Sequence, residues 1–488
     1  MMNIADALDI HARARPDHPA LIEGARILDH RAFADLVRRT AAALIALDLP
    51  EGAPIGLCLN DRIEYVVALM ALARAGRLIL PMDARWSAGE RQRVVDHFRP
   101  AIVLGEPGEP ALDHTRMVAW DAGWEARLAA ADPDLAFPTG PDLPLVLSLS
   151  SGTRGRPKGP VVTHGQFFRR FMTHWINLSL NGRDRFVCAT PLYFGGGRTF
   201  TLSVLFSGGT VILRPPPFAA GELVETVASS QATSLFLVPT QYRRLLELPD
   251  EVLRPLRSLN LLLSSGAPLS AEERRAIRDR LCPNFYEYYA STEGGGVSLL
   301  GPGDLEAHGA TVGRPVFAVE TEIVDADHKP LPNGQAGHLR YRGPAVATRY
   351  YNDAAASEEA FRDGWFYPGD LAAIDTAGFI TLKGRTKDMI LRGGVNIYPA
   401  DIEAALTDHP AVAEAAVVPW PSRAMGEEIA AFLRLSEPAT TDEILAHCRT
   451  RLSRYKWPKA AFVVDDLPRN SAGKVLKAEL TERLPALD

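Results

Sequence analysis

The sequence predicts an α/β protein: a large N-terminal domain of parallel-rich sheets that includes a small antiparallel, barrel-like part, followed by a small mobile C-terminal α+β domain. Three observations lead to this fold class. Up to Gly313, apolar strand-like segments alternate with helical segments, as in a parallel sheet built from βαβ units. After Gly313, short strands of alternating polarity are separated by turn residues, as in antiparallel sheets. The last part of the chain, about a hundred residues, has the length of a separate minor domain.

The predicted parallel sheet takes its strands from many short segments. Near the N-terminus, residues 20–22, 52–59 and 78–81 have the pattern of strands, and the apolar residues 65–73 form a helix. The pattern recurs farther along, where each strand ends at a turn or a polar residue: 184–190, 210–213, 234–238 and 259–264. Ligands of such sheets bind outside the strand ends, so the segments that follow the strands are the candidates for function.

The antiparallel part and the domain boundary come next along the chain. Strands are predicted at 319–324 and 338–342, with turn signals at Pro332-Asn333-Gly334 and Gly343-Pro344. A compact stretch of helices and strands begins after Arg385-Thr386-Lys387-Asp388. We therefore predict an N-terminal domain over residues 1–386, a C-terminal domain over 387–488, and a hinge at Lys387.

Composition narrows the class of partner and the compartment. The chain has 488 residues, 47% of them hydrophobic, and a net charge of −6, which argues against a nucleic-acid binder and favours a small-molecule partner. Its 4 cysteines lie far apart, without metal or disulfide spacing, as expected in a reducing cytosol. No apolar run reaches the ~18 residues of a membrane span, and no signal-peptide core is found near the N-terminus. We expect a cytoplasmic protein.

One loop carries the composition of a phosphate-binding site. An apolar run, residues 145–149, leads into hydroxyl groups that can donate to an anion, glycines that let the backbone approach it, and cations. These residues are Ser150, Ser151, Gly152, Thr153, Arg154, Gly155, Arg156 and Lys158. The loop is not a P-loop, because Pro157 and Gly159 stand where that motif requires Gly and Ser or Thr. The alternative is a flexible basic surface loop.

Two further segments have groups suited to a nucleotide base and to a metal. The turn Gly266-Ala267-Pro268 follows a strand, and its exposed backbone could lie flat against a purine. The local alternative is an ordinary strand-to-helix turn capped by Ser270. The segment 285–293 offers tyrosines for stacking and ends in Glu293, whose carboxylate could hold Mg²⁺; its alternative is an edge strand with surface tyrosines.

Two more segments carry single charged groups near the C-terminus. Asp370 follows a turn of Pro368 and Gly369, and an ionised carboxylate there can accept hydrogen bonds from both hydroxyls of a ribose. Lys474 follows Gly473 on a loop of small residues. Turns ending in Asp are common, and most such lysines are solvated, so neither segment indicates a site alone.

The order and spacing of these segments closely resemble the AMP-forming acyl-CoA synthetase superfamily, in particular its acyl- and aryl-CoA ligases. Firefly luciferase and the adenylation domains of peptide synthetases belong to the same superfamily. The resemblance covers nearly the whole chain and includes Gly384-Arg385-Thr386-Lys387-Asp388 and Arg392-Gly393-Gly394. It implies an enzyme that joins a carboxylic acid to ATP, releases pyrophosphate, and passes the acyl group from an adenylate to CoA, with ATP, Mg²⁺ and CoA as the groups it binds.

The resemblance also implies a role for each motif residue. Lys474, Thr292 and Glu293 would be catalytic: Lys474 at the carboxylate, Thr292 at the α-phosphate, and Glu293 at Mg²⁺. The remaining nucleotide contacts would be Ser150, Ser151, Gly152, Thr153 (also at Mg²⁺), Arg154, Gly155 and Lys158 at the phosphates, Gly266, Ala267, Pro268, Glu287 and Tyr289 at adenine, and Asp370 and Arg385 at the ribose. The acyl pocket would contain Phe194, Gly195, Arg198, Ala290 and Gly294, with Gly393 and Gly394 on the CoA path. A rotation about Lys387 would withdraw Lys474 and bring that path to the adenylate.

The choice of acid rests on the pocket motifs. Glycines at 195–197 and 294–296 are expected to leave room for an aromatic or a medium-to-long-chain acid rather than acetate. The absence of Asp between residues 192 and 202 argues against an α-amino acid. Arg198 could pair with a second carboxylate, although a structural or surface role is favoured. Ala290 stands where the family usually has Gly and would narrow the pocket, and Phe194 stands where it often has His.

Two alternatives to a CoA ligase remain open from the sequence. The acyl group could be loaded onto a carrier protein, or the chain could be a non-catalytic nucleotide-binding homologue. The presence of Lys474, Glu293, Thr153 and Asp370 argues against the second. The segment 468–474 also resembles sites at which bacterial acyl-CoA synthetases are acetylated, which implies a lysine acetyltransferase acting on Lys474 as a partner. The sequence leaves the oligomeric state open.

Overall fold

The fold is described from a computed structural model over residues 3–149, 158–392, 395–422, 425–469 and 474–486. Contacts divide the chain into two compact units. The first contains the chain through Gly309, Pro315–Glu320 and Arg342–Phe366; the second contains Ala310–Arg314, Thr321–Tyr341 and the chain from Tyr367 onward. The hinge at Lys387 and the boundary there stay predictions.

The secondary structure of the described residues alternates strands and helices in the N-terminal part, as the sequence predicts. The strands are β1 Pro19–Glu23, β2 Arg26–Asp29, β3 Ile55–Cys58, β4 Ile79–Pro81, β5 Ile102–Gly105, β6 Arg116–Ala119, β7 Pro144–Leu147, β8 Val161–Thr163, β9 Arg185–Cys188, β10 Thr210–Leu213, β11 Ser234–Leu237, β12 Leu261–Ser264, β13 Phe285–Ser291, β14 Gly295–Leu300, β15 Arg314–Pro315, β16 Glu320–Val324, β17 Gly337–Arg342, β18 Phe361–Arg362, β19 Trp365–Phe366, β20 Asp370–Ile374, β21 Ile380–Arg385, β22 Ile390–Arg392, β23 Val395–Ile397, β24 Val412–Ser422, β25 Gly426–Leu435 and β26 Ala460–Val463. The helices are α1 Asp6–Ala14, α2 His30–Ile45, α3 Ile63–Arg74, α4 Ala88–Phe98, α5 Ala122–Ala130, α6 His164–Leu178, α7 Gly195–Phe206, α8 Ala220–Ser229, α9 Pro239–Leu246, α10 Asp250–Leu253, α11 Ala271–Ala276, α12 Leu305–His308, α13 Ala354–Ala360, α14 Pro399–Thr407, α15 Thr441–Arg451 and α16 Lys477–Glu482.

Two parallel-rich sheets form the centre of the first unit. One has the order β14-β13-β12-β11-β9-β10-β1-β2, and the other has the order β6-β5-β3-β4-β7-β8. Most neighbours are parallel, because helices connect them; β1 with β2, β7 with β8 and β13 with β14 are antiparallel. The predicted α/β fold class is confirmed.

Antiparallel pairing dominates the second unit, also as predicted. β20 pairs with β17 on one side and with β21 on the other. The long hairpin of β24 and β25 belongs to another sheet, in which β25 also pairs with β22 in antiparallel and with β26 in parallel, and β23 pairs with β22. Apolar residues of this hairpin and of α14 and α15 form a core of their own, including Val417, Ile402 and Ile444.

Reciprocal capping boxes determine where two helices near the candidate site residues, α6 and α11, begin. Thr163 caps α6: its hydroxyl accepts from the Gln166 backbone N–H at 3.2 Å, and the Gln166 side chain accepts from the Thr163 N–H at 2.9 Å. Ser270 and Glu273 form the same reciprocal box at the start of α11. The local interpretation of the Gly266-Ala267-Pro268 turn as a strand-to-helix connection capped by Ser270 is therefore confirmed. No helix among the described residues is long and apolar enough to cross a bilayer.

Candidate active site

The predicted phosphate loop connects two strands that pair with each other. β7 and β8 are antiparallel, with Leu147 opposite Val161. Ser150, Ser151, Gly152, Thr153, Arg154 and Gly155 lie outside the described residues, as do Gly393 and Gly394 of the predicted CoA path. Lys158, the last member of the loop, is described. Its ammonium nitrogen lies 5.1 Å from the centre of the Tyr350 ring, a distance at which a cation is attracted to an aromatic face.

Tyr350 also holds the predicted metal ligand, Glu293. The Tyr350 hydroxyl donates to Glu293 Oε1 at 2.9 Å, and the two side chains are only 6% and 8% exposed. The Arg170 guanidinium donates to the backbone carbonyls of Glu293 and Thr292 at 2.8 and 3.2 Å, which fixes the backbone at both predicted catalytic positions. Neither Tyr350 nor Arg170 was predicted from the sequence, because both lie outside the motifs.

Backbone hydrogen bonds place Tyr350 beside the exit of the phosphate loop. The Tyr351 N–H donates to the Gly159 carbonyl at 2.7 Å, and the Val161 N–H donates to the Arg349 carbonyl at 3.1 Å. The segment 349–351 therefore runs alongside residues 159–161. This pairing brings one phenol against both a predicted phosphate-binding cation and a predicted magnesium-binding carboxylate.

The predicted adenine-binding residues come from two neighbouring strands. Gly266, after β12, has a φ of +99°, which L-residues with a side chain rarely adopt, so the turn requires glycine. Ala267 and Pro268 continue this turn, and Tyr289 is half-buried on β13. β13 pairs with β12 and with β14, so the alternative of an edge strand with surface tyrosines is wrong.

Glu287 forms a buried ion pair that the sequence does not reveal. Its Oε1 accepts from Arg274 Nη2 at 2.8 Å, and its Oε2 accepts from Arg274 Nε. Both side chains are 4% exposed. The pair spans the space between α11 and β13, so it fixes the helix that follows the Gly266 turn. The predicted contact of Glu287 with adenine stays a prediction.

In the second unit, the two predicted ribose-binding residues lie together. Asp370 is opposite Arg385 in the antiparallel pair of β20 and β21, and Arg385 Nε lies 2.7 Å from Asp370 Oδ1. Arg385 also donates to the Pro368 carbonyl at 3.0 Å. Gly369, which lies between Pro368 and Asp370, has a φ of +76°. A cation thus orients the carboxylate at the tip of the turn, and an ionised carboxylate can accept several hydrogen bonds. The contact of Asp370 with a ribose stays a prediction.

The charges of Asp370 and Arg385 also act on the amine of Lys474. Burial lowers the pKa of the Lys474 amine to about 8, with smaller contributions from the cations Arg385 and Lys387 and opposing ones from Asp370 and Asp388. An amine with such a pKa keeps most of its charge at pH 7 but gives it up on mild alkalinisation. Lys474 is therefore placed among charged side chains rather than on a solvated loop tip.

The segment that carries Phe194 is held by two charged side chains, the half-buried Asp61 and the buried Arg198. Asp61 Oδ1 accepts from the Leu192 N–H at 2.7 Å, while Arg198 Nη1 donates to the carbonyls of Leu192 and Tyr193 at 3.3 and 2.5 Å. A second nitrogen of Arg198 donates to the Ser148 hydroxyl, just after β7. Arg198 is 1% exposed and makes no ion pair with a carboxylate in the described part of the chain. The favoured structural role of Arg198 fits this geometry.

Several of the pocket glycines do not leave the room that the sequence predicts for the acid. A Cβ at Gly196 would meet the Phe236 ring at 2.5 Å, and one at Gly197 would meet backbone carbonyl oxygens at 2.7 Å. At Gly295 it would meet the Arg170 side chain at 3.0 Å, and at Gly296 it would collide with the Tyr288 hydroxyl. Gly195 has open space around it, and Ala290 is exposed. At these four positions, neighbouring side chains or backbone atoms occupy the volume that a side chain would take.

Comparisons with known proteins give a consistent result over the whole chain. Residues 8–351 match the family model of the AMP-binding enzymes, and residues 401–474 match the model of the AMP-binding enzyme C-terminal domain. A feruloyl-CoA synthase from Amycolatopsis sp is 32% identical over 97% of each chain. A 2-succinylbenzoate–CoA ligase from Bacillus licheniformis is 31% identical over 98% of this chain and 100% of its own.

Solved structures agree with these sequence relatives. ATP-bound MatB from Rhodopseudomonas palustris superposes with a TM-score of 0.90 at 27% identity, over 99% of both chains. The o-succinylbenzoate-CoA synthetase from Bacillus subtilis, solved with ATP and magnesium ion, superposes with a TM-score of 0.87 at 26% identity, over 97% of this chain and 98% of that one.

Proposed function

The chain belongs to the AMP-binding enzyme family, and we propose that it is an AMP-forming acid:CoA ligase acting on an aromatic acid. The enzyme would activate the acid as an acyl-adenylate with release of pyrophosphate, and then transfer the acyl group to CoA. Relatives that span almost the whole chain carry names of this activity, including a feruloyl-CoA synthase and an indoleacetate–CoA ligase. Acid–thiol ligation accounts for the motif residues better than binding alone.

The observation that carries this proposal is the arrangement of Lys158, Tyr350 and Glu293. The face of the Tyr350 ring contacts a cation that suits a polyphosphate, and the hydroxyl of the same residue contacts a carboxylate that suits a metal. Mg²⁺ is usually held by one or two carboxylates together with substrate phosphates. Tyr350 occupies one oxygen of Glu293, and the other has no hydrogen-bond partner in the described part of the chain, so Glu293 fits the ion.

The first half-reaction requires two anions to meet, because a carboxylate must attack the α-phosphate of ATP. Bound Mg²⁺ would neutralise part of the phosphate charge. Lys158 would neutralise more of it, while Thr292 would donate to the α-phosphate and Lys474 would lie between that phosphate and the attacking carboxylate. Asp370, oriented by Arg385, would hold the ribose and so fix the position of the α-phosphate.

For the second half-reaction, the transfer of the acyl group to CoA, we propose a path for CoA, a rotation of the C-terminal domain and a means of regulation. CoA would approach along Gly393 and Gly394 after the C-terminal domain rotates about Lys387. Lys474 would leave the site in that rotation, so it would serve only the adenylation step. Acetylation of Lys474 by a lysine acetyltransferase would remove its charge and switch off adenylation, in an enzyme that we place in the cytoplasm.

The test is pyrophosphate release by the purified protein with ATP and Mg²⁺, across aromatic, straight-chain and dicarboxylic acids, each with and without CoA. We expect CoA-dependent turnover with an aromatic acid and formation of its thioester. Release that stops after one turnover in the presence of CoA, but continues with a phosphopantetheinylated carrier protein, would favour carrier loading. Absence of release with every acid would contradict the proposed function.

A further inference from the structure

The helix α6 begins directly after β8, the strand that follows the predicted phosphate loop. Its start is fixed by the reciprocal box of Thr163 and Gln166. Gln166 and Arg170 are four residues apart on this helix and so share one face. Both side chains donate from that face to the backbone of other segments.

The guanidinium of Arg170 joins two of these segments. Its Nη2 donates to the carbonyls of Glu293 and Thr292 at 2.8 and 3.2 Å, and its Nε donates to the Ala345 carbonyl at the longer distance of 3.4 Å. Arg170 is only 5% exposed, so water cannot readily replace these hydrogen bonds. The carbonyls of Glu293 and Thr292 therefore point at a fixed cation, which sets the direction in which the two side chains leave the backbone.

The segment that leads to Tyr350 is attached to the same helix face. Gln166 Nε2 donates to the Val346 carbonyl at 2.8 Å. The Ala347 N–H donates to the Glu293 carbonyl at 2.9 Å, so this carbonyl accepts both from the guanidinium and from the segment before Tyr350. One helix face thus fixes the backbone on both sides of the hydrogen bond between Tyr350 and Glu293.

The chain after Glu293 leaves room for the guanidinium. A Cβ at Gly295 would lie 3.0 Å from Arg170 Nε, and the φ of Gly295 is +71°, which side-chain-bearing residues rarely adopt. The turn that follows the predicted metal ligand is therefore shaped around this arginine. Arg169, the preceding residue, is exposed and offers a cation on the same helix outside this arrangement.

We propose that Arg170 is a positioning residue for adenylation, which holds the backbone of Thr292 and Glu293 so that their side chains face the phosphates and Mg²⁺. The proposal rests on the proposed function and adds to it a residue from outside every motif. Arg170 would act through Thr292 and Glu293 and would touch neither ATP nor the acid. Its loss should therefore impair the half-reaction that uses Mg²⁺ and spare the transfer of the acyl group to CoA.

Three variants separate the parts of this role. Arg170→Met removes the donors and the charge but keeps an unbranched side chain. Arg170→Lys keeps the charge but lacks the planar fork of donors. Arg169→Met is the matched control, because it removes the same kind of side chain from the neighbouring, exposed position. Thermal midpoints show which variants are folded.

The two half-reactions are measured separately. Adenylation is followed as pyrophosphate release over a Mg²⁺ titration, and acyl transfer as thioester formation from supplied acyl-adenylate and CoA. Because hydrogen bonds from a charged donor are lost, Arg170→Met should lower kcat/KM for adenylation about 10- to 100-fold and raise the Mg²⁺ requirement. Thioester formation should be unchanged. Arg170→Lys should lie between Arg170→Met and the wild type, and Arg169→Met should match the wild type.

Calorimetric titration with ATP, in Mg²⁺ and in EDTA, gives a measurement that does not depend on turnover. The wild type should bind ATP more tightly with Mg²⁺, and Arg170→Met should lose most of that gain. This titration separates the inference from the proposed function, because it reports on Arg170 even if no acid supports pyrophosphate release.

Three results would overturn the role of Arg170. The first is a wild type that binds ATP equally well with and without Mg²⁺. The second is a folded Arg170→Met variant that keeps the wild-type Mg²⁺ dependence. The third is equal loss of the two half-reactions, which would indicate a general structural role. If Arg170→Met does not fold, Arg170→Lys decides by the same criteria.

Discussion

The hydroxyl of Tyr350 provides a sharp test of how the candidate site is built. Tyr350→Phe removes one atom, the donor to Glu293 Oε1 at 2.9 Å. The ring stays in place, so the attraction of the Lys158 ammonium to the ring face, at 5.1 Å, is retained. The substitution thus isolates the contact with the carboxylate from the contact with the cation.

The size of the effect of Tyr350→Phe follows from the burial of the hydrogen bond and the charge of its acceptor. Both partners are more than nine-tenths buried, and the acceptor is a carboxylate. Hydrogen bonds to charged groups contribute about 1.5–3 kcal/mol, which corresponds to roughly 10- to 150-fold in an equilibrium or a rate. We expect the free energy of unfolding to fall by about that amount, and kcat/KM for adenylation to fall about 10- to 100-fold with a higher Mg²⁺ requirement.

Urea denaturation gives the first quantity, and pyrophosphate release over a Mg²⁺ titration gives the second. Tyr351→Phe is the matched control, because it removes the same atom from the neighbouring residue, whose ring packs near Phe98 and which makes no hydrogen bond to Glu293 in the described part of the chain. If the two variants show the same Mg²⁺ dependence as the wild type, Tyr350 does not position a metal-binding carboxylate, and the proposed role of Glu293 loses its structural support.

Three further predictions concern charged residues. Because the pKa of Lys474 is lowered to about 8, adenylation by the free enzyme should fall as pH rises through 8; Lys474→Arg should move that limb to higher pH, and an unchanged pH profile of kcat/KM would contradict the role of the amine. Lys474→Ala should lower adenylation by orders of magnitude while thioester formation from supplied acyl-adenylate survives, and equal loss in the two assays would refute the two-step assignment. Arg274→Ala should lower the free energy of unfolding by about 3–5 kcal/mol, because it leaves the Glu287 carboxylate buried without its partner. The double variant Arg274→Ala with Glu287→Gln should recover part of that loss in urea denaturation, and no recovery would mean that packing rather than charge sets the cost.

Local signals were enough for much of the fold. The strands at β9, β10, β11 and β12 are short apolar segments bounded by polar residues, and each was predicted from that pattern. Ser270 ahead of Glu273 predicted the cap of α11 for the same reason, since the partners are three residues apart. The sequence also placed Asp370 and Arg385 in one site by resemblance, and the antiparallel register of β20 and β21 brings them into contact.

Interactions between distant parts of the chain could not be predicted. Tyr350 meets Glu293 across 57 positions, and nothing near either residue indicates the pairing. At Gly196 and Gly296, the sequence predicted a feature that the structure lacks: the missing side chain was interpreted as empty volume. Whether that volume is empty depends on Phe236 and Tyr288, which arrive on other strands. A glycine in sequence indicates that something comes close, but not whether it is a ligand or a neighbouring ring.

Arg198 shows why a buried cation suits this site better than an apolar residue of similar size. Its planar guanidinium donates in a fixed fork, and here it reaches two carbonyls of the segment before Phe194 and the hydroxyl of Ser148. A methionine would fill the space but remove these donated hydrogen bonds, and each buried acceptor that is left unsatisfied costs about 1–3 kcal/mol. Ser148 directly follows β7, the strand that leads into the phosphate loop. The same side chain therefore fixes the segment proposed to border the acid and the strand proposed to lead to the phosphates. Under the proposed function it would position the two reactants of adenylation on one rigid frame.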